Sequence, residues 1–334
     1  MEYRRLGTTA LRVSSLSLGT MVFGEEGSRG TDKGDAKRII EAYIDAGGNF
    51  IDTADVYAGG KSEKIVGDAI DDRRDDVVLA TKLRFPMGKG PNDKGLSRKY
   101  IYRAVHASLE RLDTDYIDLL YLHARYPNMN WRETLQTLGD IVSEGKIHYI
   151  GVSNFRAYEV MKALALSDQW DYPRFQAIQL QHSLVERNVE FEHQPLSLEE
   201  GLSMVPWSPL GGGFLTGKYH SGDKPAEGRI SVMPDHAEES WTHRATEKNW
   251  KTLEVVERVA QNHEASIPQV ALAWLMTQPA VVSPIIGVRT MDQFTENIGA
   301  ESVKLNPDQV EELSLVSSPE VRYPYRFIQN YASE

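Results

Sequence analysis

Eight short apolar runs at nearly even spacing constrain this chain more than any other feature. They are VSSLSLG (13–19), NFIDTA (49–54), VVLATK (77–82), IDLLYLH (117–123), IHYIGVSN (147–154), FQAIQLQH (175–182), LSMVPWSP (202–209) and VVSPIIG (281–287). The first seven begin about 25 to 40 residues apart, the length of a strand, a crossover helix and two turns. Such runs suit strands covered on both faces, as in a parallel sheet. The stretches between them carry helical periodicity. RIIEAYIDAG (38–47) sets Ile39, Ala42, Tyr43 and Ala46 on one face and ends in a glycine pair. IYRAVHASLERL (101–112) does the same with Ile101, Val105, Leu109 and Leu112, and TLQTLGDIVSEG (134–145) stops at Gly145.

Eight strands alternating with helices predict an α/β fold, a (β/α)8 TIM barrel, with residues 1–334 as a single domain because no linker interrupts them. A doubly wound open sheet is the alternative on pattern alone. The opening YRRLGTTALRV, with Gly7 inside it, predicts a hairpin plugging the barrel floor. One gap breaks the rhythm: roughly 70 residues separate the seventh and eighth runs, far more than an ordinary loop. It opens with KYHSGDKPAEGRISVMPDHAEES (218–240), which reads as a mobile loop, and continues with helices in 249–263 and 268–278. The tail from about 307 starts a helix with Pro307 in its first turn and ends in an aromatic, irregular segment.

The net charge of −11 argues against a nucleic-acid or anionic-membrane partner, both of which call for basic surface. Zero cysteines exclude disulfides, thiolate nucleophiles and cysteine-based metal sites. No run reaches the ~18 apolar residues of a membrane span and no leader opens the chain, so the expected location is cytoplasmic. The histidines show no metal-ligand spacing.

In a barrel of this kind, chemistry sits at the carboxyl ends of the strands. Asp52 and Tyr57 follow the second run, Lys82 ends the third and His123 ends the fourth. Each alone has an ordinary structural reading: Asp52 as a turn cap, Tyr57 as a rim aromatic, Lys82 as a surface lysine, His123 as a hydrogen-bonded core residue. Neighbouring strands make the four converge. An unperturbed phenol titrates near pH 10, and lowering it by three units takes about 4 kcal/mol, much of which one desolvated ammonium supplies. Asp, Lys and Tyr in one pocket therefore predict a tuned general acid, with His123 orienting a polar substrate atom.

FIDTADVY (50–57), GGKSEKIVG (59–67), VVLATK, YLH (121–123), GKIHYIGVSNF (145–155), VPWSPLGGGFLTGKY (205–219) and PIIGVRTMDQFTENI (284–298) resemble, in order and over nearly the whole chain, the motifs of the aldo-keto reductases. The likeness is to the longer-chain branch that includes channel β subunits and aryl-alcohol dehydrogenases. It implies the catalytic tetrad Asp52, Tyr57, Lys82 and His123, an NADPH cofactor and a small-molecule carbonyl substrate. It also implies that Ser153, Asn154 and Gln179 hold the nicotinamide carboxamide and that Trp207 stacks on the ring. Thr20, Met21 and Asp52 border the same end. Ser208, Pro209, Leu210, Gly211, Gly212 and Lys218 would line the pyrophosphate, with Arg229 closing over it. Gly287, Arg289, Gln293, Glu296 and Asn297 would take the adenosine end, Arg289 gripping the 2′-phosphate through its planar fork, which favours NADPH over NADH.

Three rivals stand beside this reading. GGFLTGKY (212–219) imitates the start of a phosphate-binding P-loop, but Tyr219 stands where a magnesium-binding Ser or Thr belongs. Some members of this branch are NADPH-binding regulatory subunits rather than catalysts, and a metal-dependent barrel hydrolase is the third. Gln181 and His182 replace the aromatic residues frequent in the sixth strand of the family, and His182 reads as structural. The substrate pocket would draw on the loops 21–30, 83–96 and 124–130, where Phe23, Phe85 and Trp131 suggest an apolar surround. Oligomeric state is not legible in the sequence.

Overall fold

In the computed structural model, which describes residues 1–27, 30–222 and 224–331, the eight apolar runs become eight strands of one parallel sheet. Positions 28 and 29 of the expected pocket loop 21–30, position 223 of the loop 218–240, and positions 332–334 lie outside the described residues. Two short strands, β1 (Tyr3–Arg5) and β2 (Arg12–Ser14), pair antiparallel as the expected hairpin. The parallel strands are β3 (Ser17–Gly19), β4 (Phe50–Asp52), β5 (Val78–Leu83), β6 (Ile117–Leu122), β7 (Ile147–Ser153), β8 (Ala177–Gln179), β9 (Ser203–Met204) and β10 (Ile285–Gly287). β10 pairs with β3, and the order then follows the chain to β9. Val282 N–H donates to Met204 O at 3.0 Å and Ile285 N–H to Pro206 O at 2.8 Å, so the last strand meets β9 and the sheet closes. This is the (β/α)8 barrel rather than the open sheet.

Helices cover the outer face because their apolar stripes have the right period. Lys33–Asp45 begins under an Asp32 cap that accepts from the N–H groups of Gly34 and Asp35, and it buries Ile39, Ile40, Tyr43 and Ile44. Arg98–Leu112 and Trp131–Ser143 are opened by Ser97 and Asn130 in the same way. Pro307–Val316 begins at the expected proline, but the aromatic tail expected to be irregular forms a further short helix, Tyr325–Tyr331.

Inside the barrel, Leu6 and Val13 of the hairpin pack under Phe50, Val78, Ala80, Leu119, Tyr121, Ala177 and Val205. Each such side chain stabilises the fold by roughly 1.5–3 kcal/mol through burial. The floor is therefore apolar and sealed.

The segment after β9 is more ordered than its polar composition suggests. Two helical turns, Arg229–Val232 and Trp241–Arg244, hold it down, with Tyr219 and Ile230 buried and Tyr219 edge-on to Trp241 at 6.0 Å. A few apolar anchors at irregular spacing do this, which no periodicity reveals. Among the described residues, no helix is long and apolar enough to cross a membrane.

Candidate active site

Strand alternation decides which side chains reach the mouth. Phe50 of β4 packs inward, so Asp52, two residues on, does too. Along β5 the inward series is Val78, Ala80, Lys82, and along β6 it is Leu119, Tyr121 and then His123. Ala177 of β8 precedes Gln179, and Val205 precedes Trp207. The parallel register sets Asp52 beside Ala80, Lys82 beside Tyr121, and Ser153 beside Gln179. Each inward row is apolar at the floor and ends in a polar or aromatic group at the carboxyl edge.

Those row ends bond to one another. Lys82 Nζ, fully buried, donates to Asp52 Oδ1 at 2.5 Å, to Thr53 O at 2.8 Å and to Tyr57 Oη at 3.2 Å. Gln179 Nε2 donates to the other carboxylate oxygen of Asp52 at 2.8 Å. Burial alone would push the Lys82 ammonium down, but the Asp52 carboxylate and the Tyr57 hydroxyl reverse this and hold it above its ordinary value. An ammonium has three N–H groups, and here each finds an acceptor.

Tyr57 is delivered by a sharp turn. Ala58, Gly59 and Gly60 all have positive φ, and a Cβ on Gly60 (φ 91°) would lie 2.7 Å from Arg111 Cδ. The phenol departs from the sequence expectation in one respect. Burial pushes its pKa above the ordinary value, and the opposing pull of Lys82, partly countered by Asp52, does not overcome it. Tyr57 therefore rests as a protonated donor, and Lys82 acts on the phenolate only as it forms.

His123 stands edge-on to Tyr57 (ring centres 5.9 Å) and to Phe85 (4.8 Å). Burial, then the charges of Lys82 and Arg84, hold its pKa far below the ordinary histidine value, so the ring is neutral. Its Nδ1 has no partner among the described residues.

Of the expected cofactor residues, Ser153, Asn154 and Trp207 are joined by hydrogen bonds. Asn154 Nδ2 donates to Ser153 Oγ and to His123 O, both at 3.0 Å, while Trp207 Nε1 donates to Asn154 Oδ1 at 3.2 Å. Asn154 and Ser208 hold left-handed φ values of 56° and 54°, strain of a kind concentrated at ligand sites. Ser208 Oγ accepts the Gly212 N–H at 2.9 Å, and Gly212 (φ 70°) lies against Ile230 and Glu239, where a Cβ would collide. Pro209 and Gly211 are buried beneath this turn and Leu210 half-buried. The P-loop imitation thus folds as 3-10 turns, Gly211–Thr216, with no helix N-terminus. Lys218 is held below its ordinary pKa by burial and by the nearby charge of Arg289, which places the two cations together. Gln293 Oε1 accepts the Arg289 N–H at 2.9 Å; Glu296 and Gly287 are exposed and Asn297 is buried in the same helix as Gln293. The Thr20 hydroxyl donates to Asp52 O at 3.1 Å, and Met21 is exposed. An indole at the rim, a strained glycine turn and cations gathered on an acidic protein fit a phosphorylated dinucleotide.

Several residues of the site escaped the sequence reading. Buried Glu239 accepts from Ser208 Oγ and pairs with Arg229 at 2.6 Å, so Arg229 already has an anionic partner; no motif surrounds Glu239 to flag it. Arg229 Nε is buried without a partner among the described residues. Asp55, beneath the Tyr57 turn, leaves both carboxyl oxygens unpartnered among the described residues, and burial, then the charge of Glu63, push it up to about 8. Arg84 and Arg125, each two residues beyond a tetrad member, were also missed, although that spacing was visible in the sequence. His182 is structural as expected: buried, it shares Glu190 with Arg187.

Comparison with known proteins shows the family of the chain. The model of the aldo/keto reductase family matches residues 15–317. A probable voltage-gated potassium channel subunit beta of Oryza sativa subsp. japonica is 36% identical over 98% of this chain and 100% of its own length. An uncharacterized oxidoreductase, YrpG, of Bacillus subtilis is 38% identical over 92% of this chain and 93% of its own. A versiconal hemiacetal acetate reductase of Aspergillus parasiticus is 34% identical over 97% and 99% respectively.

Proposed function

Because the chain belongs to the aldo/keto reductase family, we propose that it reduces an aldehyde or ketone to an alcohol with NADPH, in a single barrel domain, and that Tyr57 supplies the proton. One observation carries this reading: Lys82 Nζ lies 3.2 Å from Tyr57 Oη while anchored 2.5 Å from Asp52. When bound, the nicotinamide supplies the hydride that the carbonyl carbon receives. The oxygen receives a proton from Tyr57, so atoms and charge balance, and the phenolate left behind faces the Lys82 ammonium. Water at the mouth restores that proton. Neutral His123 offers a ring N–H to the carbonyl oxygen and fixes its approach. Asn154, Ser153 and the free positions of the Gln179 amide hold the carboxamide, and Trp207 covers the ring. The Ser208–Gly212 turn and Lys218 take the pyrophosphate. Arg289, next to Gln293, Glu296 and Asn297, takes the 2′-phosphate and favours NADPH over NADH.

Some relatives are named as channel subunits, and an NADPH-binding regulatory role is the rival. The connected Asp52–Lys82–Tyr57 chain favours catalysis, since a pure binding module has no need of a buried ammonium beside a phenol. The test follows NADPH consumption with a panel of carbonyls. Tyr57→Phe should keep NADPH binding and lose roughly 10²–10⁴-fold in kcat, the usual worth of a general acid. An unchanged kcat would remove Tyr57 from the role.

A further inference from the structure

We propose that Arg84 and Arg125 form an anion-recognising subsite at the barrel mouth, selecting carbonyl substrates that carry a carboxylate about one aromatic ring away from the reacting carbon. The inference rests on the reductase reading for the carbonyl itself, and on separate residues for the anion.

Adjacent strands deliver the two arginines. Arg84 lies two residues beyond Lys82 on β5, and Arg125 two beyond His123 after β6. Arg84 Nη2 donates to the backbone carbonyl of Arg125 at 3.3 Å, which brings the Arg84 guanidinium to the Arg125 main chain. Arg84 has φ 145°, strained for any residue but glycine, and Gly95 N–H closes on its carbonyl at 2.9 Å. Strain of this kind costs on the order of 1–3 kcal/mol and persists where the surroundings enforce a functional placement.

The donors are held short of partners. Among the described residues no carboxylate pairs with Arg84, and its buried Nε finds no acceptor. Arg125 gives its Nε to Glu159 at 3.1 Å but leaves Nη1 buried and unpartnered. Guanidinium N–H groups left dry and unpaired are unfavourable, and a planar anion that accepts two at once is their natural complement. The Arg84 guanidinium carbon lies 4.6 Å from the Phe85 ring centre and 5.6 Å from that of Tyr126.

Distance sets the substrate. The Phe85 ring centre lies 4.8 Å from that of His123, and the Arg84 guanidinium carbon lies 4.6 Å from the same Phe85 ring centre. The charge of Arg84 is felt at His123, where it helps keep the imidazole neutral. A carbonyl beside Tyr57 and His123 with an anion at Arg84 therefore matches a carboxyl group set para on a benzaldehyde, or an aliphatic chain of similar reach.

Two measurements test this. With NADPH, 4-carboxybenzaldehyde should be preferred over the neutral 4-nitrobenzaldehyde by about tenfold or more in kcat/KM, the difference lying in KM. Independently, calorimetric titration of the NADP+-loaded protein should show benzoate binding at least about tenfold tighter than benzamide. Arg84→Met should collapse both ratios towards one, and Arg84→Lys should restore part, since it returns the charge without the fork. Equal kcat/KM for the two aldehydes with equal binding of benzoate and benzamide, or ratios untouched in Arg84→Met, overturn the subsite. Failure to turn over either aldehyde while benzoate still binds selectively would instead sink the reductase reading and leave the subsite standing.

Discussion

Gln179 and Asp52, 127 residues apart in sequence, meet across the barrel mouth: the Gln179 amide donates to Asp52 Oδ2 at 2.8 Å, opposite the oxygen held by Lys82. The residue expected to hold the cofactor's carboxamide is thus also part of the charge relay beneath the tyrosine. Both oxygens of a buried carboxylate are satisfied only because these strands face each other.

Gln179→Leu strips one of those bonds and leaves a buried carboxylate oxygen unpaired. We expect a loss of about 1–3 kcal/mol in urea unfolding, together with weaker NADPH binding by fluorescence titration. A variant as stable as the parent would mean that water replaces the amide.

The Lys82–Asp52 pair should behave as a unit. Lys82→Met abandons a buried charge and should cost about 3–5 kcal/mol, whereas Lys82→Met combined with Asp52→Asn should cost less than Lys82→Met alone. Additive costs across the cycle would show that the two groups are not coupled. Turnover should be lost in both variants.

Asp55 makes stability depend on pH. Its carboxyl is pushed up to about 8 in the folded protein, against roughly 4 when unfolded. Between those values the folded state holds a proton that the unfolded state has released. Stability from this group is therefore complete below about pH 4 and declines as pH rises towards 8, by at most ~1.4 kcal/mol per unit. Asp55→Asn should flatten that slope, matching the parent below about pH 4 and exceeding it near pH 8 in chemical unfolding. Parallel slopes in the two proteins would refute the assignment.

Glu239 stands where a phosphate would be welcome, bound by Ser208 and Arg229. For Arg229 to meet a pyrophosphate, this pair must open. Glu239→Gln should tighten NADP+ binding severalfold, measured by calorimetry, with a larger dependence on ionic strength. Weaker binding would identify Glu239 as a tether that positions Arg229 instead.

The strand rows explain why so much of the site was legible. Asp52, Lys82, His123 and Gln179 each follow an inward apolar residue by two positions, and period-two alternation is a local property of a strand. The hairpin, the eight runs and the proline-started helix Pro307–Val316 were readable on the same local grounds. The segment after β9 was not, because it is pinned by Tyr219, Ile230 and Trp241, which share no period.

By itself, then, the sequence determined the alternation of strands and helices and the identity of the residues at the carboxyl rim, since spacing along one chain is enough to assign both. The tertiary structure alone decided that burial outweighs Lys82 in setting the Tyr57 proton, that Glu239 already occupies Arg229, and that Arg84 and Arg125 lie together with donors unspent. Desolvation and charge pairing depend on distances between segments remote in the chain, and those distances exist only once the barrel has closed.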